Sequence, residues 1–418
     1  MSELNIREKR IVQRDVKLLN HIQNVMNVHY KDHVSSKMKY KSTYQLVQLL
    51  QSKHRTEKEF EESYAVLFHR VVDMFDDFLL DQSILPRTTM KVLDKSINKY
   101  VKLKYISEGS YGRVFALKVK GMKKQILILK TSKDDSVTVD FLHETCVNAI
   151  LTDSALNIYQ HIPKFFLPTF LAGIRKEEFS NRDPHICILQ EQLPKAQTVF
   201  DFIVSTKNKD KVQVELIMIF LQVMAFLAQA QAIREFVHYD LHTSNVLVQK
   251  SKTTVSNSYK LELPNGKPFQ MDLQYKYHAF IIDFGFSVAK YNDTWYTPVS
   301  HGGKFHRFID NQFSHQPYYP LYDFINFTCF IIRDLLYAKY VGFSKFFINI
   351  LLAFFEHIDC PISDELNQYL QRSLKGEMHL ELYGSNFMLS NSKANKEMCS
   401  CATMDEFLHF FLETIDWV

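Results

Sequence analysis

The sequence predicts an α+β protein in three parts. A helical N-terminal extension (1–100) comes first, then a small β-rich unit (101–195), then a larger, mainly helical unit (196–418). Three observations lead there. Between 101 and 195, short apolar runs are broken by turn-forming residues, as in antiparallel strands. Across 215–236, 324–358 and 404–418, apolar residues run long enough for core helices. In the first hundred residues, apolar side chains recur at helical spacing.

Within the extension, Val16–Val28, Thr43–Gln51 and Glu57–Leu80 read as helices. In the last, Phe60, Tyr64, Leu67, Val71 and Phe75 fall on one face. Glu57-Lys58-Glu59 places acids in its first turn, favourable for the helix dipole. Pro86 breaks the pattern before a short basic helix, Thr88–Lys99. The plainer role is a brace packed on the β-rich unit; a docking segment is the alternative.

In the β-rich unit, Tyr105–Ile106 and Val114–Leu117 flank the turn Glu108-Gly109-Ser110-Tyr111-Gly112. A glycine at 109 lets backbone N–H groups approach an anion without a Cβ clash. Gln125-Ile126-Leu127-Ile128-Leu129-Lys130 reads as a strand closed by a lysine, and Phe141–Val147 as a helix carrying Glu144. Ile186–Pro194 is a further strand followed by a turn.

The chemistry-bearing stretch is His238-Tyr239-Asp240-Leu241-His242-Thr243-Ser244-Asn245, running into Val246-Leu247-Val248. A loop reversal there lets the Asp240 carboxylate and the Asn245 amide face one cleft. Downstream, a strand from Ala279 to Ile282 delivers Asp283 into Asp283-Phe284-Gly285. The intervening 249–278 contain Asn265-Gly266 between alternating runs, a hairpin signal, so an extended β-hairpin is expected. Val199–Ser205 and Glu215–Phe236 read as helices, and Asp323 opens another. Residues 286–320 are turn-rich, and 375–402 read as loop.

Taken together these motifs resemble the protein-kinase set: Gly-rich loop, strand lysine, H-x-D-L-x-x-x-N and D-F-G, in that order. The resemblance covers roughly residues 100–418 and is similar to haspin-type kinases and to serine/threonine kinases of large cytoplasmic DNA viruses. It implies a bilobal fold and ATP- and Mg²⁺-dependent phosphoryl transfer to Ser or Thr of protein substrates, viral or host. Carried onto this chain, Asp240 orients the hydroxyl, Lys130 positions the α- and β-phosphates, and His242 stands near the γ-phosphate. Asn245 and Asp283 ligate the metal. Ser107, Gly109, Gly112 and Val114 cover the nucleotide, Glu144 pairs with Lys130, and Glu191 to Leu193 line the adenine pocket. Asp323 matches the helix residue that holds the catalytic loop; the simpler reading of it is a helix cap. Residues 286–320 take the activation-segment position.

The chain also departs from the family. Ser107 replaces the first glycine, Tyr239 the arginine that binds a phosphorylated activation loop, and His242 the usual lysine. No Ala-Pro-Glu follows in 286–322, and Asn148 is polar where an apolar residue is usual. Two rivals follow. Small-molecule phosphotransferases of kinase-like fold share the histidine at position 242, and a pseudokinase scaffold would tolerate the departures.

Composition limits the alternatives. A net charge of +4, with 46% hydrophobic and 23% charged residues, is ordinary globular make-up and supplies no dense basic patch for nucleic acid. The most apolar run, 346–355, is too short to span a bilayer. The charged start has no signal-peptide core, and six scattered cysteines show neither zinc spacing nor a secreted framework. A cytoplasmic setting is expected, extending to the virion for a viral chain.

Overall fold

The structure is a computed structural model. It describes scattered positions between 14 and 66, then residues 101–108, 112–119, 127–132, 138–151, 161, 165–166, 187–193, 195–262, 268–298, 318–376 and 393–414. The chain forms two compact units, residues 1–149 with 163–194, and residues 150–162 with 195–418.

In the first unit, two helix starts of the N-terminal stretch are visible as reciprocal caps. The Ser42 N–H donates to Gln45 Oε1 (2.8 Å) and Ser42 Oγ accepts from the Gln45 N–H (3.2 Å). Thr56 and Glu59 repeat the device at 2.9 and 3.1 Å. Leu18, Leu46 and Val66 are buried. The proposed apolar face Phe60–Phe75 and the basic helix 88–99 lie outside the described residues.

The first unit's sheet contains β1 (Val101–Glu108), β2 (Gly112–Val119), β3 (Leu127–Ser132), β4 (Phe165–Phe166) and β5 (Cys187–Glu191). Its order is β1-β2-β3-β5-β4, with every neighbouring pair antiparallel. A register shift between Tyr105 and Ser107 leaves Ile106 outside the ladder, and the glycine turn starts beyond the pair Glu108–Arg113. One helix, α1 (Thr138–Leu151), carries Glu144.

In the second unit, α2 (Val199–Ser205) is capped by Thr198 Oγ1, which accepts from the Asp201 N–H (2.9 Å). Next comes α3 (Lys209–Arg234), capped by Asn208. Its length and hydropathy would suffice for a membrane span, but 72% of its apolar window is buried inside the protein, as in a core helix. Phe220 explains the burial. Its ring lies 5.3 Å from Phe347, 6.0 Å from Phe407 and 6.2 Å from Phe411, each centroid to centroid. These partners come from α5 (Val341–His357) and α8 (Met404–Thr414). The other α-helices among the described residues of this unit are α4 (Tyr322–Tyr337), α6 (Asp364–Leu374) and α7 (Lys393–Ser400). The last corrects the loop expected over 375–402.

The expected hairpin is present. The strand β6 (Gln197–Thr198) pairs with β7 (Val246–Glu262), which pairs with β8 (Pro268–Ile281) down to Glu262–Pro268. The Asn265-Gly266 turn itself lies outside the described residues. Period-two alternation buries Met271, Leu273, Tyr275 and Tyr277 and exposes Asp272, Gln274 and Lys276. Among the described residues the outer edge of β8 is met by side chains and not by a further strand. Gln222 of α3 donates to the Tyr277 carbonyl (2.9 Å) and accepts from the Ala279 N–H (3.0 Å). His161 Nδ1 meets the Ala279 carbonyl (3.0 Å), and its Nε2 meets the Tyr259 hydroxyl (2.8 Å). With Nδ1–H donating to the carbonyl, Nε2 accepts from Tyr259, so the ring is neutral.

Burial, and then the neighbouring His278, lower the His161 pKa to about 3. The unfolded chain therefore binds a proton here first. The stability His161 contributes is complete above its unfolded pKa of 6.5 and is lost as pH falls toward 3, up to about 5 kcal/mol. His161→Gln should show a flatter loss of stability than wild type between pH 6.5 and 4 in urea denaturation. Parallel acid limbs would refute this.

Candidate active site

The second unit's site is built on a loop with no ladder of its own. After α3 the chain makes one backbone bridge, Val237 with Val288. It then runs through His238–Asn245 into β7. Two successive amides in this bend, His238 N–H and Tyr239 N–H, donate to the two oxygens of Asp323 at 2.6 and 2.9 Å. Asp323 opens α4 and is fully buried. Burial, opposed by the two amide bonds, raises its pKa to about 7. Tyr239 takes a left-handed backbone (φ 62°) that a non-glycine residue adopts at a cost of about 1 kcal/mol. The Asp323 bonds hold it there. Asn326, one turn further along α4, donates to the Leu241 carbonyl (3.1 Å).

His238 links this loop to the next. Its Nδ1 accepts from the Asp240 N–H (3.3 Å), so Nε2 carries the proton and donates to the Ile282 carbonyl (3.1 Å). Burial lowers its pKa to about 4, in keeping with a neutral ring. Phe284 packs against it at 5.3 Å, and Ser287 Oγ donates to the His238 carbonyl (3.2 Å). The turn after β8 is made by Asp283, whose φ is 68°. Gly285 does not need to be glycine for the turn. Its φ is not left-handed, and a Cβ there would meet nothing nearer than Asp283 Oδ1 at 3.9 Å.

The structure brings Asp240, Asn245, Asp283 and His242 together. Asn245 Nδ2 donates to the Asp240 carbonyl (2.9 Å) and to Asp240 Oδ2 (3.3 Å). Both amide protons are then spent, which leaves Oδ1 as its acceptor. The Asn245 carbonyl accepts from the Ile282 N–H (3.0 Å), tying the loop to the residue before Asp283. Burial first, and the Asp283 charge second, raise the Asp240 pKa to about 7. His242 Nδ1 accepts from the Ser244 N–H (3.2 Å), which puts the proton on Nε2, 3.8 Å from Asp240 Oδ2. At that distance the two are neighbours and not hydrogen-bonded. Burial lowers the His242 pKa to about 4, so it is a neutral donor.

One support was not visible in the sequence. Thr243 donates to the buried Asp334, which also takes Arg333 Nε at 2.8 Å. Arg333 lies over Phe330 (4.4 Å), and His242 packs on the same ring (5.4 Å).

In the first unit, Lys130 Nζ meets both Glu144 oxygens at 2.8 Å. Asn148 resolves the apparent conflict in the helix pattern. It is buried, and its amide donates to the Glu144 carbonyl one turn back (2.9 Å). Val114 pairs with Lys130 on one side and with Ser107 on the other. Directly paired residues project from one face, so Val114 and Lys130 share theirs. Gly112 opens β2, Glu191 ends β5, and Leu193 follows it half-buried. Gly109 lies outside the described residues.

Removing the Asp323 carboxylate should strand two buried amides. Asp323→Ala is expected to cost roughly 2–4 kcal/mol in denaturant unfolding. It should also abolish hydrogen-exchange protection at His238 and Tyr239 while α3 and β7 stay protected. Unchanged protection at 238 and 239 would contradict the anchor.

No family model and no curated protein matches the chain. Its neighbours among solved structures are protein kinase domains. One is a kinase domain from Plasmodium, 13% identical, with a TM-score of 0.33, over 74% of this chain and 86% of that one. Another is the PknI kinase domain of Mycobacterium tuberculosis, 15% identical, with a TM-score of 0.28, over 49% of this chain and 64% of that one. At such scores the functional argument rests on the chain's own geometry.

Proposed function

We propose that the chain is an ATP- and Mg²⁺-dependent phosphotransferase that phosphorylates Ser or Thr of protein substrates. The observation that carries this is Asp240, partly buried, gripped by Asn245 and placed within the field of Asp283 on a loop fixed by Asp323. Phosphoryl transfer asks mainly for positioning and charge compensation, and these groups supply positioning. Asp240 accepts the hydrogen bond that aims the attacking hydroxyl. Neutral His242 offers an Nε2–H beside it. Lys130, held straight by Glu144, offers its ammonium group to phosphate oxygens, and β1–β2 around Ser107, Gly112 and Val114 offers backbone N–H groups. Glu191 and Leu193 supply backbone positions for the adenine.

The metal is part of the proposal. Among the described residues no cluster of three or more His, Cys, Asp or Glu forms a metal site. A small donor set nonetheless fits magnesium, which usually takes one or two protein oxygens and completes its shell with water and phosphate. Asn245 Oδ1 and the Asp283 carboxylate are that set. A cation there would neutralise phosphate charge and offset the negative charge that raises the Asp240 pKa.

The likeness to haspin-type and viral kinases, and the cytoplasmic setting, belong to the same reading and rest on sequence features alone. His242 favours one rival, a small-molecule phosphotransferase, since such enzymes carry histidine at that place. Incubation with Mg-ATP and either a protein mixture or small alcohols and aminoglycosides separates the two. Phosphosite mapping should show protein serines or threonines modified, and small acceptors alone would point to the rival. Asp240→Ala should abolish turnover with the melting curve and ATP binding nearly unchanged; retained turnover would exclude the loop as the catalytic element.

Regulation follows from Tyr239. It is buried and packs on Tyr322 at 5.0 Å, so it presents no cation to a phosphate. Phosphatase treatment should therefore leave activity within about twofold. A loss of tenfold or more would require a phosphate-binding site elsewhere.

A further inference from the structure

Among the described residues the free cysteines are Cys146, Cys329, Cys360, Cys399 and Cys401. Cys146, Cys329 and Cys399 are buried, whereas Cys360 is half-buried and Cys401 is exposed. The last two are far apart in sequence and meet in the fold. Cys360 lies in the connection between α5 and α6, and Cys401 in the connection between α7 and α8. After burial, the Cys360 thiol is the neighbour that acts most on the Cys401 thiol, so the two side chains lie close together.

Independent contacts fix the two connections side by side. The Ser363 N–H donates to Met398 Sδ (3.4 Å), and Asn395 Nδ2 donates to Glu365 Oε2 (2.8 Å). Each thiol is further aimed by its own backbone. Cys401 Sγ donates to the Met398 carbonyl (3.0 Å), and Cys360 Sγ points at the Pro361 carbonyl (3.9 Å). The same segment reaches the catalytic-loop brace, because the Cys399 carbonyl accepts from the Leu321 N–H (3.0 Å) at the start of the helix that carries Asp323.

We propose that Cys360 and Cys401 are a redox-sensitive dithiol that closes to a disulfide under peroxide, stapling the α5–α6 connection to the α7–α8 connection. The proposal stands independently of the phosphotransfer reading. One thiol, once ionised, attacks hydrogen peroxide. An S–O bond forms, the O–O bond breaks, and a sulfenic acid and one water result. The second thiol then attacks that sulfur. The S–S bond forms, and the oxygen leaves as a second water. Two thiols are oxidised by two electrons, and the peroxide is reduced by two. Burial and the neighbouring Cys360 thiol push the Cys401 pKa up, so Cys401 keeps its proton at neutral pH and the resting form is the dithiol.

The test is peptide mapping of the full chain after stoichiometric hydrogen peroxide, followed by denaturation and alkylation of the remaining thiols. The expected product is a 360–401 cross-linked peptide pair, about 2 Da lighter than the sum of its thiols, restored by dithiothreitol. Cys401→Ser should give no cross-link and instead leave Cys360 as a higher oxoacid. The proposal is overturned if wild type yields separate oxoacids at Cys360 and Cys401, if both remain fully alkylatable, or if either pairs with Cys399 instead. The wild-type map decides by itself should the serine variant not fold.

Discussion

The Asp323 carboxylate is the constraint on which the second unit's site depends. A loop that must turn several side chains toward one place cannot also run in a strand or helix, so its amides have no ladder to join. Two such amides, His238 and Tyr239, point the same way, and one carboxylate with two oxygens satisfies both. Burying that carboxylate is costly, as its raised pKa records. The arrangement is tolerable because the alternative leaves two buried donors unpaired and a left-handed Tyr239 with nothing to hold it. The cap that an aspartate at a helix start ordinarily provides is therefore turned outward, to a loop more than eighty residues earlier in the chain.

The two units contrast electrostatically. In the first, Lys130 and Glu144 neutralise each other at 2.8 Å. In the second, Asp240 and Asp283 are negative neighbours, and the nearby histidines stay neutral because burial lowers their pKa values. Asn245 offers Asp240 an N–H but no charge. Two acids whose charges oppose each other are a local conflict, and strongly perturbed carboxylates of this kind cluster at functional sites. The proposed metal fits that imbalance better than a purely structural role for the two carboxylates does.

Much of the site was legible in the sequence because its chemistry fixes residue type and order together. Asp240, Asn245 and Asp283 could be named from spacing, and the structure gathers them. Glu144 was harder to read, since Asn148 looked out of place until its amide was seen to bond the Glu144 carbonyl. What stayed hidden lies in long-range pairings with no local mark. Thr243 finds Asp334 across 91 residues, Gln222 finds Tyr277 across 55, and His161 finds Ala279 across 118. Helix α7, with Lys393, Asn395, Lys396 and Glu397, was passed over because its apolar face is only Met398 and Cys399. In the N-terminal stretch the caps at Ser42 and Thr56 are local signals of the same kind as the motifs around Asp240 and Asp283, written in nearby residues.

The segment after Asp283 shows how magnitude decides between two accounts of order. Lys290 meets Glu235 at 2.7 Å, and Arg234 covers the Tyr291 ring, so charge contacts are one account of what pins β9 (Ala289–Tyr291) and its partner β10 (Thr294–Tyr296). Both Lys290 and Glu235 are about a third exposed, and ion pairs at such exposure contribute little. The backbone bridge does more. Val237 and Val288 exchange two hydrogen bonds, at 3.0 and 2.8 Å, with both side chains fully buried. Breaking it would strand two amides and two carbonyls and expose apolar surface, a cost of several kcal/mol at about 1–3 for each unpaired group. The start of this segment is therefore held by burial and main-chain pairing. Within the kinase reading, that leaves a phosphate little to add at the position where Tyr239 has replaced arginine.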